Sequence, residues 1–190
     1  GMLAHNYGLN STKKEQSIHK AINLNIISFT ADLVIINNIK FHHSVHQIYD
    51  INILFIKCAF IHCEIYAESK NENLIKFVSS NWIVKYACLK IINYNLVVFD
   101  NCTLSTLVKS KDKLKPIIDI KNAISTLFIN LTIMNVTGAI LSVSNGFETM
   151  LYGAKMENIN SVSNIKKSLV GSMIVRNVMK FILKNSIMHN

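Results

Sequence analysis

Proline occurs once in the 190 residues, at Pro116, arginine once, at Arg176, and glycine only six times. No glycine-rich phosphate loop, no Ser/His/Asp set and no Cys/His nucleophile can be assembled from recognisable spacings. Acidic residues number 11 and are widely scattered, which leaves little material for the carboxylate clusters of polysaccharide-cleaving sites. The four cysteines, Cys58, Cys63, Cys88 and Cys102, form no CxxC pair, so neither a zinc ribbon nor a redox dithiol is indicated and buried free thiols are expected. Every apolar run is interrupted by Lys, Asn, Asp or Glu well before the ~18 residues that a membrane-spanning helix needs. The opening segment through Gln16 is polar and carries no apolar secretory core.

What is present is lopsided. Half of the residues are hydrophobic, and isoleucine (29), asparagine (23) and lysine (19) together dominate the chain. The net charge of +9 comes almost wholly from lysine, which favours anionic surfaces or polyanions without naming one. Nucleic acid is not expected as a partner, because no arginine cluster and no basic stripe interleaved with aromatic residues occurs. A length of 190 residues fits one domain or one continuous repeat array.

Short stretches alternate with period two and are rich in Ile and Val, which argues for strands. A longer period then emerges. Val34, Ile36, Asn38 and Phe41 define a template of apolar, x, apolar, x, Asn, x, x, apolar. It is met again by Leu54, Ile56, Cys58 and Ile61, by Ile75, Phe77, Ser79 and Trp82, and by Val97, Phe99, Asn101 and Leu104. Leu127, Ile129, Leu131 and Met134 continue it, Ala154, Met156, Asn158 and Ser161 match weakly, and Phe181, Leu183, Asn185 and Met188 restore it. The fifth positions, 38, 58, 79, 101, 131, 158 and 185, are 20, 21, 22, 30, 27 and 27 residues apart. A unit of that length cannot bury its own apolar face, so neighbouring units must stack. Inward side chains then form ladders at ~4.8 Å, and an Asn at each bend adopts the left-handed conformation.

With these residues in view, the pattern resembles the right-handed parallel β-helix of the pectate-lyase-like superfamily, and within it the Asn-punctuated arrays of bacterial and protist surface proteins. Phe99-Asp-Asn-Cys-Thr and Leu183-Lys-Asn-Ser-Ile carry the likeness, and Thr137-Gly-Ala-Ile140 is similar to an element of polymorphic outer-membrane protein repeats. The resemblance spans roughly residues 20 to 190 and implies an all-β, single-stranded right-handed solenoid of about seven rungs. Residues 1–20 are expected to be a polar arm or cap and 21–190 the repeat domain. The rival is a leucine-rich repeat, which has a similar period and an Asn or Cys ladder. Ile outnumbers Leu here and connecting segments such as Ile83 to Asn95 also read as strand, which favours the β-helix.

Candidate chemistry follows from the alignment. It places Asp100, Asn130 and Glu157 at one outward position, with Asp100 and Glu157 two rungs or about 10 Å apart, near the separation that glycoside cleavage requires. Solvated surface charge is the simpler reading of that pair. His42, His43 and His46 precede His62 and Cys63 by one rung, so that His42 is expected to stack on His62 and His43 on Cys63. Imidazole and thiolate suit zinc or copper, but the spacing matches no established closed site, and corner packing with no metal and no cofactor is expected. Lys109, Lys111, Lys113 and Lys115 put four ammonium groups on one loop, able to contact an anionic glycan by point-charge attraction; an unspecific solvated loop is the simpler reading. Asn10, Asn101, Asn130 and Asn135 begin glycosylation sequons, which would imply a secretory route.

The resulting expectation is a non-enzymatic structural or adhesion scaffold at the cell surface, with an intracellular assembly subunit as the alternative location. A carbohydrate-active enzyme or its fragment is the alternative function. The last match runs to Met188, so the final coil is expected to be covered by further chain or by self-association.

Overall fold

The structure, a computed structural model, describes residues 5–6, 25–26, 33–84, 88–106, 116–136, 139–157 and 173–189. Every regular element among them is a strand, and every pairing is parallel. Two short strands, β1 (His5–Asn6) and β2 (Asn25–Ile26), precede a repeating set of three. The first set is β3 (Val34–Asn37), β4 (Lys40–His42) and β5 (Val45–Tyr49); the second is β6 (Ile53–Ile56), β7 (Ala59–Ile61) and β8 (Glu64–Glu68). β9 (Leu74–Val78), β10 (Asn81–Val84) and β11 (Leu89–Ile92) form the third, and β12 (Leu96–Asp100), β13 (Thr103–Thr106) and β14 (Ile118–Lys121) the fourth. β15 (Ser125–Ile129) and β16 (Thr132–Met134) lead into the long β17 (Leu141–Tyr152), followed by β18 (Lys155–Glu157), β19 (Met173–Lys184) and β20 (Ile187–His189).

Each strand pairs with its counterpart one set away, so three faces wind round one axis as in a parallel β-solenoid. The first face runs β1-β3-β6-β9-β12-β15-β17, and the third runs β17-β14-β11-β8-β5-β2. These two join into a 13-stranded sheet because β17 continues through the corner between them, and β19 lies against β17 along both halves. The second face is a separate sheet, β20-β18-β16-β13-β10-β7-β4. The expected all-strand, parallel architecture is therefore present, and Ile83 to Asn95 carries strands as anticipated.

The core is built from columns of like residues. On the first face Ile36, Phe55, Phe77, Phe99, Phe128 and Leu151 lie in register and are buried. On the second face Phe41, Phe60, Trp82, Leu104, Ile133 and Met156 do the same. Parallel register brings equivalent rings within one strand spacing. Phe55 and Phe77 therefore stack at 5.0 Å with their planes 6° apart, and Phe77 and Phe99 at 5.0 Å. The two columns meet edge to face, Phe77 against Trp82 at 5.0 Å and 71°, a geometry the aromatic quadrupole favours.

The corners correct the sequence alignment in detail. After the first face the chain turns at Asn38, Lys57, Ser79, Asn101, Asn130, Gly153 and Asn185, all with positive φ. Their amides bond in succession along the axis, from Asn38 N–H to Ile56 O through Gly153 N–H to Lys184 O. The positions expected at Cys58 and Leu131 are thus one residue late, and Asn158 lies outside the described residues while Gly153 takes its place. The intervals are accordingly 19, 22, 22, 29, 23 and 32 residues. Cys58 and Cys102 instead point inward just after the corner and donate to the carbonyls of Ile36 and Phe77. Gly153 is required where it stands: φ is +65°, and a Cβ there would run into the Asn130 carboxamide.

A second corner, between the third and first faces, turns at Asn93, Asn122, Asn145 and Asn177. Here the side chains form a continuous ladder. Asn122 Nδ2 donates to Asn93 Oδ1 at 2.8 Å, Asn145 to Asn122 at 3.2 Å and Asn177 to Asn145 at 3.0 Å. Left-handed backbone costs most residues about 1–2 kcal/mol, and asparagine offsets this by local hydrogen bonding. Asn122→Ala, which loses both ladder bonds and keeps the left-handed requirement, is expected to cost about 1–2 kcal/mol. Asn122→Gly relieves the backbone and should recover part of that loss. Urea denaturation of the two variants checks this; equal midpoints would show that backbone conformation contributes nothing at this corner.

Candidate ligand groove

The first corner and the outer surface of the second face meet in a groove lined by Asn38, Ile39, Lys40, Lys57, Ala59, Ile61, Asn81 and Ile83, with a volume of about 240 Å³. Its construction follows from the register. Asn38 and Lys57 are successive corner residues, forced outward by their positive φ. Lys40, Ala59 and Asn81 are aligned across β4, β7 and β10, and Ile61 and Ile83 are aligned beside them. The floor is thus aliphatic and the rim carries two ammonium groups and two carboxamides. Among the described residues neither Lys40 nor Lys57 enters an ion pair, whereas Lys76, Lys121, Lys155 and Lys180 each have a carboxylate. The result is a concave surface with an aliphatic floor, polar groups at its edge and two ammonium groups that attract anions.

Of the residues singled out from the sequence, Lys109, Lys111, Lys113 and Lys115 lie outside the described residues. Asp100 and Glu157 are not brought together. Asp100 sits on β12 of the first face, in register with Ile129 and Tyr152, while Glu157 is on β18 of the second face, in register with Met134. The expected shared column fails because the coil after Asn130 turns at Gly153, five residues before the Asn158 of the alignment, so that Glu157 lies past the corner on the second face. Each carboxylate also has its own lysine, Lys76 at 3.8 Å from Asp100 and Lys155 at 2.6 Å from Glu157.

The histidine expectation is also shifted by one. His42 is in register with Ile61, not with His62. His43 stacks on His62, ring centres 5.0 Å apart, at the corner where both have positive φ. Ser44, not His43, meets Cys63, Oγ to Sγ 3.2 Å. No group of three or more His, Cys, Asp or Glu side chains among the described residues is arranged to hold a metal ion.

His46 turns inward. Its ring is enclosed by Phe41 and Phe60, edge-on at 4.7 and 6.2 Å, and Nε2 shares a hydrogen bond with Ser44 Oγ at 2.8 Å. Burial disfavours the imidazolium and pulls its pKa down to about 4. All four cysteines are buried and free. Burial pushes the Cys58 and Cys102 thiols up to about 11, which makes them packing groups and not nucleophiles.

Asn38, Lys40, Lys57 and Asn81 were not marked as a site by the sequence pattern. The available signal was Lys57, which falls on the Asn column once the second repeat is moved by one residue. Comparison of the chain with family models, with curated proteins and with solved structures found no match in any of the three.

Proposed function

We propose that this chain is a right-handed, single-stranded parallel β-helix of about seven coils, of the pectate-lyase-like type, serving as a non-enzymatic scaffold at a cell surface. Its groove beside the first corner holds an anionic glycan. The observation that carries the glycan reading is the pair Lys40 and Lys57, set over Ile39, Ala59, Ile61 and Ile83 with no carboxylate partner among the described residues. Ammonium groups meet sulfate or uronate oxygens as point charges, the aliphatic floor takes the carbon face of a sugar ring, and Asn38 and Asn81 supply donors and acceptors for hydroxyls. Rod-like stacking gives such a surface a fixed direction, which suits adhesion or assembly.

Calorimetric titration with a short heparin-derived oligosaccharide, and with neutral dextran as control, tests the assignment. Binding to the sulfated sugar alone is expected, weakening as salt rises. The double variant Lys40→Gln, Lys57→Gln should bind about tenfold more weakly with unchanged thermal unfolding. Retained affinity in that variant would move the site elsewhere, with the Lys109–Lys115 stretch the first place to look.

A further inference from the structure

The corner between the third and first faces joins a chemical liability to a structural requirement. Asn145 is followed by Gly146, and no other asparagine in the sequence precedes a glycine. With no side chain beside it, the glycine amide nitrogen reaches the preceding asparagine carboxamide more readily than that of a bulkier residue. The glycine is not free to change, because β17 runs so close to the coil before it that a Cβ on Gly146 would stand 2.7 Å from the Ala123 carbonyl oxygen. Asn145 is constrained as well: its φ of 56° is one that asparagine tolerates, and it is exposed to solvent at the corner.

In the folded chain the ladder governs where the Asn145 carboxamide points. Its Nδ2 donates to Asn122 Oδ1 at 3.2 Å, and its Oδ1 accepts from Asn177 Nδ2 at 3.0 Å. Both ends of the group are thus directed along the axis to the neighbouring coils. The backbone on the far side of the corner is held by Phe147 N–H and Glu148 N–H, which both donate to Ile124 O, at 3.1 and 2.9 Å. Gly146 itself is paired in register with Val178. Turning the carboxamide back toward Gly146 N therefore requires both ladder bonds to open.

We propose that Asn145 is a site of spontaneous deamidation whose rate is set by opening of the asparagine ladder. In the open corner the Gly146 amide loses its proton to solvent base, and its nitrogen attacks Asn145 Cγ. The new N–Cγ bond closes a five-membered imide, the Cγ–Nδ2 bond breaks, and the nitrogen leaves as ammonia with a proton from water. Water then adds to either imide carbonyl and opens the ring, to aspartate or to isoaspartate, with no change of oxidation state. The product cannot re-form the ladder. Its carboxylate still accepts from Asn177, but toward Asn122 it sets one acceptor oxygen against another. The isoaspartyl form also inserts an extra backbone atom where Ala123 leaves no slack.

The test holds the full chain in mildly alkaline buffer, folded or unfolded in urea, and locates the amide-to-acid conversion by peptide mass spectrometry over time. Asn145 should convert ahead of every other asparagine, at least about tenfold more slowly in the folded chain than in the unfolded one. Asn122→Gly, which removes the acceptor of the Asn145 side chain, should raise the folded-state rate about fivefold. Asn93→Gly, one step further along the ladder and not bonded to Asn145, should leave it within about twofold. Folded chains in which Asn145 has largely converted should unfold about 2–4 °C lower, a readout independent of either variant. The proposal is overturned by earlier conversion of another asparagine, by equal rates in folded and unfolded chains, or by no conversion of folded Asn145 once the unfolded chain has reacted fully. An Asn122→Gly rate equal to the native one, or an unchanged unfolding midpoint after conversion, would equally remove the ladder from the account.

Discussion

Phe77→Ala is expected to destabilise the protein by about 3–5 kcal/mol, the usual cost of emptying a buried phenylalanine site. Phe77 is fully buried at the middle of its column, stacked at 5.0 Å on both Phe55 and Phe99 and edge-on to Trp82 and Phe60. Its neighbours are fixed by backbone pairing to β6 and β12, so they cannot collapse into the space without breaking register. Phe77→Leu keeps most of the volume and loses only the ring contacts, for which about 1–2 kcal/mol is expected. Urea denaturation followed by circular dichroism measures both. A Phe77→Ala loss no larger than that of Phe77→Leu would mean that this column is not packed as described.

Acidification should weaken the fold before most carboxylates titrate, and His46 is the reason. Its folded pKa, near 4, lies below the ordinary value of 6.5, so the unfolded chain takes up the proton first. The stabilisation is complete above about pH 6.5 and is lost progressively as pH falls toward 4, for a total of about 3 kcal/mol. Protonation must either place an imidazolium between Phe41 and Phe60 or expel the ring and break its bond to Ser44. His46→Leu removes this proton-binding group, and its unfolding midpoint should decline less between pH 6.5 and 4.5 than that of the native chain. Parallel pH profiles for the two proteins would assign the acid sensitivity to another group.

The strand character and parallel stacking were legible because alternation of Ile and Val with polar residues leaves a period of two, and because Asn38, Ser79, Asn101 and Asn185 do mark corners. Register was legible only where one face of a strand is polar. In Ile53-Leu54-Phe55-Ile56 both faces are apolar, so the phase is set by packing of Phe55 on Phe77 and not by composition, and the reading slipped by one. The same happened at Leu127, Ile129 and Leu131, because the inward column there runs through Thr126, a polar residue at 0% exposure. The apparent column of Asp100 with Glu157 arose one coil later, where the corner is Gly153 and the asparagine template fits five residues further on, at Asn158. The ladder of Asn93, Asn122, Asn145 and Asn177 went unseen for a different reason: coil lengths run from 19 to 32 residues, so a fixed period finds one corner and loses the other. The groove was hidden because it joins Lys40 to Lys57 and Asn38 to Asn81 across three coils, a proximity that exists only once register is known.

The direction of the backbone hydrogen bonds has a mechanical consequence. The covalent chain runs round the axis, while the bonds from Asn38 to Ile56, Lys57 to Val78 and Ser79 to Asp100 run along it, as they do on all three faces. Tension between the ends is therefore shared at once by every bond linking two adjacent coils, together with the stacked rings inside them. A force that peels one strand sideways from β19 meets those bonds one at a time. The molecule is accordingly stiff to stretching and yields to lateral unzipping, strand by strand.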